Sequence, residues 1–161
     1  MKTIIRTTLP LATFLAVVCG LVSPAIAQKA PVTMVITAGS TGKFLNTPHS
    51  INTTGYSDFT ANITVRADGT ASGQFACAVP NAIVIAGQAA NATVNVDGSV
   101  TITGIGYGYF VGGGGFDDDS FFVTFRAGGP KVGGFDFADA NFPVGFYDTE
   151  GVVYGAVNIG R

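Results

Sequence analysis

The sequence predicts an all-β protein, an antiparallel barrel or two-sheet sandwich of about eight to ten strands, after an N-terminal signal peptide. Three observations carry this. Charged residues are sparse while Gly, Thr, Val and Phe are plentiful and Trp is absent, which suits strands better than amphipathic helices. Apolar residues recur at every second position, and no stretch keeps a helical period. Turn signals such as Asp-Gly, Pro-Asn and Gly-Pro return at short spacing.

The first 27 residues read as a targeting segment rather than part of the fold. Lys2 and Arg6 form a positive start, and Leu9 to Val22 is an apolar run too short for an ordinary spanning helix. Pro24 breaks it, and Ala25-Ile26-Ala27 is a small-x-small cleavage pattern, so cleavage is expected before Gln28. A lipoprotein reading through Cys19 is disfavoured, because Val18 stands where a small residue is usual. Residues 28–161 then form a single domain, exported to a secreted or periplasmic location. No second apolar run suggests a membrane span in that mature chain.

The mature chain opens with a strand from Pro31 to Thr37, with Val32, Met34 and Ile36 on one face. Ala38 to Ser57 has no period and is rich in Gly, Ser, Thr, Asn and Pro, so a long loop is expected, with a short helical turn near Thr41 to Leu45. Asp58 to Val79 gives the clearest signal. Phe59, Ala61, Ile63 and Val65 alternate with polar residues, and Ala71, Gly73, Phe75, Cys77 and Val79 alternate on the return. A three-residue loop at Ala67-Asp68-Gly69, with Gly69 left-handed, sets Val65 against Ala71, Ile63 against Gly73 and Ala61 against Phe75. Pro80-Asn81 is a turn, Ala82 to Ala86 a short strand, and Ala89 to Asn95 another. A second hairpin at Val96-Asp97-Gly98 repeats the loop chemistry and sets Val94 against Val100 and Ala92 against Ile102.

The second half changes character. Ile105 to Phe110 alternates Gly with large residues, and Gly112 to Gly115 is a flexible run before Asp117-Asp118-Asp119. Phe121, Val123 and Phe125 mark the next strand, and Gly128-Gly129-Pro130 a turn. Val132 to Phe137 pairs back, and Asp139 to Pro143 is a loop. Phe146 to Thr149 is a weak strand, Glu150-Gly151 a turn, and Val152 to Ile159 the closing strand.

Loss of the leader removes Lys2 and Arg6 but no acid, so the mature chain is more acidic than the formal charge of −2. The sequence has no basic patch, which argues against nucleic acid as a partner. Cys77 is the only cysteine beyond the leader, so no internal disulfide is available. Its place on the inward row with Phe75 and Val79 makes it a small buried hydrophobe.

Candidate chemistry is thin. Asp117, Asp118 and Asp119 offer oxygen ligands for Ca²⁺, but the run lacks the ligand spacing of a calcium loop, and a solvated loop is the plainer reading. Gly39-Ser40-Thr41-Gly42-Lys43 has two residues between its glycines where a phosphate loop needs four. His49, the single histidine, lies in the long polar loop without a nucleophile elbow or zinc partners. Glu150, the single glutamate, sits in a turn signal, which weakens it as half of a hydrolytic carboxylate pair. Asn52, Asn62 and Asn91 head glycosylation-like triplets that we read as chance in a Thr-rich chain. The aromatics of the second half are mostly core, and Tyr107, Tyr109, Phe122 and Phe125 are the candidate ligand-binding residues among them.

Asp68-Gly69-Thr70-Ala71-Ser72-Gly73-Gln74-Phe75 resembles a D-G-T-x-S-G-Q-F pattern of small exported bacterial β-domains of uncharacterised function. Their later elements correspond to Ala92 to Ile105, Asp119 to Val123, and Gly155 to Ile159. The resemblance covers most of the mature chain in short words only. It implies export and an all-β fold, and it brings no catalytic residues.

The sequence therefore points first to an exported, non-enzymatic domain with a binding or surface-interaction role. The alternatives are a small barrel holding an apolar small molecule and a hydrolase or isomerase using scattered Asp, Tyr and His49. No cofactor is implied beyond the Ca²⁺ candidate.

Overall fold

The computed structural model describes residues 29–45, 55–139 and 147–161. The expected leader, His49 and the Asn52 triplet lie outside these residues. The strands are β1 (Val32–Phe44), β2 (Tyr56–Arg66), β3 (Ala71–Val79), β4 (Ile83–Val94), β5 (Val100–Phe110), β6 (Gly115–Arg126), β7 (Gly134–Asp139) and β8 (Tyr147–Gly160). Each pairs antiparallel with the next, and β8 pairs with β1, so the eight strands close into a barrel in sequence order. Closure decides between barrel and sandwich, and it gives each of the eight strands a paired neighbour on both sides.

Alternation builds the wall. Phe59, Ala61, Ile63 and Val65 of β2 are buried, while Asp58, Thr60 and Asn62 between them are exposed. Phe75, Ile85, Ile102, Val123, Phe125, Phe135, Phe137 and Val157 continue the inward rows around the barrel. Aromatic rings fill the middle: Phe59 lies 4.1 Å from Phe135, and Phe75 lies 5.7 Å from Phe137 and 5.8 Å from Phe121. The interior is apolar, and the outer wall carries Thr and Asn together with exposed Val, Ile, Tyr and Phe side chains.

Both hairpin registers hold. Val65 pairs Ala71, Ile63 pairs Gly73 and Ala61 pairs Phe75, while Val94 pairs Val100 and Ala92 pairs Ile102. Gly69 (φ 80°) and Gly98 (φ 83°) take the left-handed loop positions. Each loop is tied by its aspartate. Asp68 Oδ1 accepts from Thr70 N and Oγ1 at 3.0 and 2.7 Å. Asp97 Oδ1 accepts from Ser99 N and Oγ at 3.0 and 2.6 Å. The Thr70 bonds hold the Asp68 carboxyl below its ordinary range, and the Ser99 bonds do the same for Asp97. A carboxyl depressed on folding stabilises above its unfolded pKa, and that contribution is lost as pH falls through the folded value. Melts of wild type and of Asp68→Asn/Asp97→Asn, run at neutral pH and in acid below the ordinary carboxylate range, check this. The variant is expected to start less stable and to lose less on acidification; parallel losses would show that these loops do not contribute.

The structure corrects several boundaries. Ala38 to Phe44, expected as loop with a helical turn, continues β1, because Thr37 to Lys43 pair along β2 from Asn62 to Tyr56. The two short strands expected between Ala82 and Asn95 are one, β4, with a register shift between Ala89 and Asn91. Asp117 to Asp119 lie within β6 rather than in a loop. Glu150-Gly151 is not a turn: residues 147–160 run on as β8. The missing alternation has a physical cause here. Gly42, Gly151 and Gly155 interrupt the apolar rows, and a register shift at Thr41 and Gly42 sets the β1–β8 pairing out of step.

Candidate functional site

The Gly-aromatic alternation of β5 has a simple geometry. Gly104, Gly106 and Gly108 face inward, and Ile105, Tyr107 and Tyr109 face outward and are exposed. At Gly104 and Gly106 the β4 backbone and the Phe121 ring of β6 leave no room for a side chain. A Cβ at Gly104 would run into the Gln88 carbonyl, and one at Gly106 would lie 2.7 Å from the Ala86 carbonyl, with the Phe121 ring at 3.0 and 3.3 Å; at Gly87 of β4 the obstruction is the Phe121 ring itself. Gly87 thus leaves its space to the Phe121 ring, Gly104 and Gly106 admit the β4 backbone, and the large β5 residues lie on the outer wall.

Tyr107, Tyr109 and Phe122 share that wall. Tyr107 and Tyr109 have ring centroids 5.5 Å apart, inclined at 52°. Phe122 is 43 % exposed, and its strand partner is Thr103. Phe125 does not join them. It is fully buried and its ring lies 6.4 Å from Phe75 inside the barrel. The outer wall therefore unites three of the four expected binding residues, and Phe125 belongs to the core.

Two shallow recesses flank these rings and share Ile105. The first, about 270 Å³, includes Thr60, Gln74, Gln88 and Tyr107. The second, about 340 Å³, includes Asn91, Thr103, Ser120 and Phe122 and opens beside the irregular stretch of β4. Neither lining contains a charged side chain. Sequence reasoning found the rings but missed the amides: Gln74, Gln88 and Asn91 come from β3 and β4, and only the register brings them beside β5 and β6.

At one end of the wall, Tyr109 Oη donates to Asp117 Oδ1 at 3.0 Å. The carboxylate holds the phenol in its protonated form and pushes its pKa up. Asp118 takes a left-handed backbone at φ 56°. Among the described residues, no group of three His, Cys, Asp or Glu side chains converges as a metal-ligand set.

Two other expected residues have clear places. Cys77 is 4 % exposed on the inward row of β3. Glu150 is fully buried, and Ser57 Oγ donates to its Oε2. Gly42 lies between them: it pairs Ser57 on one side and Val152 on the other, and a Cβ there would run into the Glu150 carboxyl. The single glutamate thus occupies space that Gly42 leaves open at the β8–β1–β2 junction, which a turn reading of Glu150 conceals.

A scan against protein-family models finds no match to this chain, and neither curated proteins nor solved structures give one.

Proposed function

We propose that the chain is an exported, non-enzymatic binding domain that holds a neutral glycan on the outer wall of β3 to β6. The carrying observation is the pairing of exposed Tyr107 and Phe122 rings with uncharged amides and hydroxyls in two recesses that share Ile105. A pyranose presents a C–H face that packs on an aromatic ring and hydroxyls that exchange hydrogen bonds with Gln, Asn, Thr and Ser. The absence of charge in both linings suits a neutral ligand, because an uncompensated side-chain charge would have to be desolvated on contact. The barrel serves as a rigid frame, its packed rings fixing the strands that present the wall. That packing favours the wall over the interior as the binding place. Export rests on the basic, apolar and Ala-Ile-Ala features of residues 1–27.

Affinity electrophoresis through gels containing soluble neutral polysaccharides tests the reading. Wild type is expected to be retarded by at least one of dextran, glucomannan, xylan and hydroxyethyl cellulose. Tyr107→Ala should weaken that retardation about fivefold, from roughly 1 kcal/mol of ring contact. Tyr154→Ala, which alters an exposed residue of β8, should leave it unchanged. Free migration through every gel, or retardation indifferent to Tyr107→Ala, overturns the proposal.

A further inference from the structure

We propose a second site, independent of the glycan wall, where Lys43, Arg126 and Lys131 receive the oxyanion head of an amphiphilic anion. The mature chain has six Lys and Arg residues once Lys2 and Arg6 are set aside, and three of them line one recess of about 280 Å³. They come from the end of β1, the end of β6 and the β6–β7 connection, which explains why no basic patch is visible in the sequence.

The fold gathers them by a specific route. The β6–β7 connection runs against β8: Gly128 and Val157 exchange backbone bonds at 2.8 and 2.9 Å, and Lys131 N donates to Val152 O at 3.1 Å. Lys43 reaches the same place because it pairs Gly151 across the β1–β8 seam. Gly151 lies in the lining, where a Cβ would come within 3.6 Å of the Leu45 side chain on the recess wall. Arg126 is held by its ion pair with Asp136 and by a 3.4 Å bond from Nη2 to the Glu150 carbonyl.

Two features point beyond a chance gathering. Like charges placed together repel, and Asp136 offsets only one of the three. Among the described residues, Lys43 and Lys131 have no ion-pair partner. Lys131 also takes a left-handed backbone at φ 71°, a conformation that favours Gly, Asn and Asp and that a lysine rarely adopts. The walls set the rest of the ligand. Leu45, Val132 and Val153 are all exposed around the cations, a lining that suits a hydrocarbon chain behind a carboxylate or phosphate head.

Titration calorimetry of the full mature chain with hexyl phosphate, inorganic phosphate and phosphatidylglycerol vesicles tests this. Hexyl phosphate is expected to bind, more tightly than inorganic phosphate and more weakly as salt is raised. Lys43→Gln and Lys131→Asn should each weaken it about tenfold, the loss of one charge-assisted contact. Asn is chosen at position 131 because it tolerates the left-handed backbone. Tyr107→Ala should leave binding unchanged, which separates this site from the glycan wall. No binding of hexyl phosphate, or binding indifferent to the double substitution in a chain that melts normally, overturns the site. Equal binding of hexyl and inorganic phosphate overturns the amphiphile. Binding to vesicles alone overturns the recess in favour of a lipid surface.

Discussion

Phe75→Ala is expected to lower stability by about 3–5 kcal/mol, the cost of deleting a fully enclosed aromatic side chain. For a domain of this size that amounts to a fall of roughly 10–20 °C in melting temperature. The argument is positional. Phe75 projects from β3 and meets rings from the far side of the barrel: Phe121 at 5.8 Å, Phe137 at 5.7 Å, Phe125 at 6.4 Å and Phe135 at 6.5 Å. Its removal uncouples β3 from β6 and β7 together. Closure of the barrel limits how far opposing walls can collapse into the space, so the cavity contribution persists. Phe122→Ala, on β6 but facing outward at 43 % exposure, should cost far less. Chemical denaturation of both variants reads the difference, and similar losses from the two would contradict the assignment of faces.

The sequence and the structure agree best where one face is buried and the turn chemistry is explicit. The Phe59 to Val79 register follows from alternation and Gly69 alone, because a slip of one residue would turn Ile63 and Phe75 to solvent. Strand ends in glycine-rich stretches are less legible. Gly42 and Gly151 give no apolar signal, and β1 and β8 run through them because their backbones pair, not because their side chains alternate. The site divides in the same way. Tyr107, Tyr109 and Phe122 show in the period of single strands, whereas the Gln and Asn residues beside them depend on pairing among β3, β4, β5 and β6. The cation recess depends on chain segments far apart in sequence, with Lys131 placed by a connection that pairs backbone to backbone with β8. Alternation carries no information about such meetings.

Gly87→Ala and Phe121→Ala are expected to show strong coupling, the two losses combining to less than their sum. An added methyl at Gly87 runs directly into the Phe121 ring, with two further ring atoms at 2.9 Å. That ring cannot swing aside, since Phe75 and Phe137 pack at 5.8 and 6.5 Å from it. Gly87→Ala alone should therefore cost about 1–3 kcal/mol as overpacking. Phe121→Ala alone should cost about 3–5 kcal/mol as a cavity. Combined, the methyl enters space that the ring has vacated, and alanine loses less backbone freedom than glycine by about 0.5–1 kcal/mol. The double variant should thus be no less stable than Phe121→Ala, with an interaction energy of roughly 1–3 kcal/mol between the sites. A denaturation cycle measures it directly. Additive losses would mean that Gly87 is required by its own backbone rather than by the ring opposite. Coupling would instead establish that position 87 is glycine because the Phe121 ring fills the barrel directly opposite it, the one inward glycine whose missing side chain would meet that ring and nothing nearer.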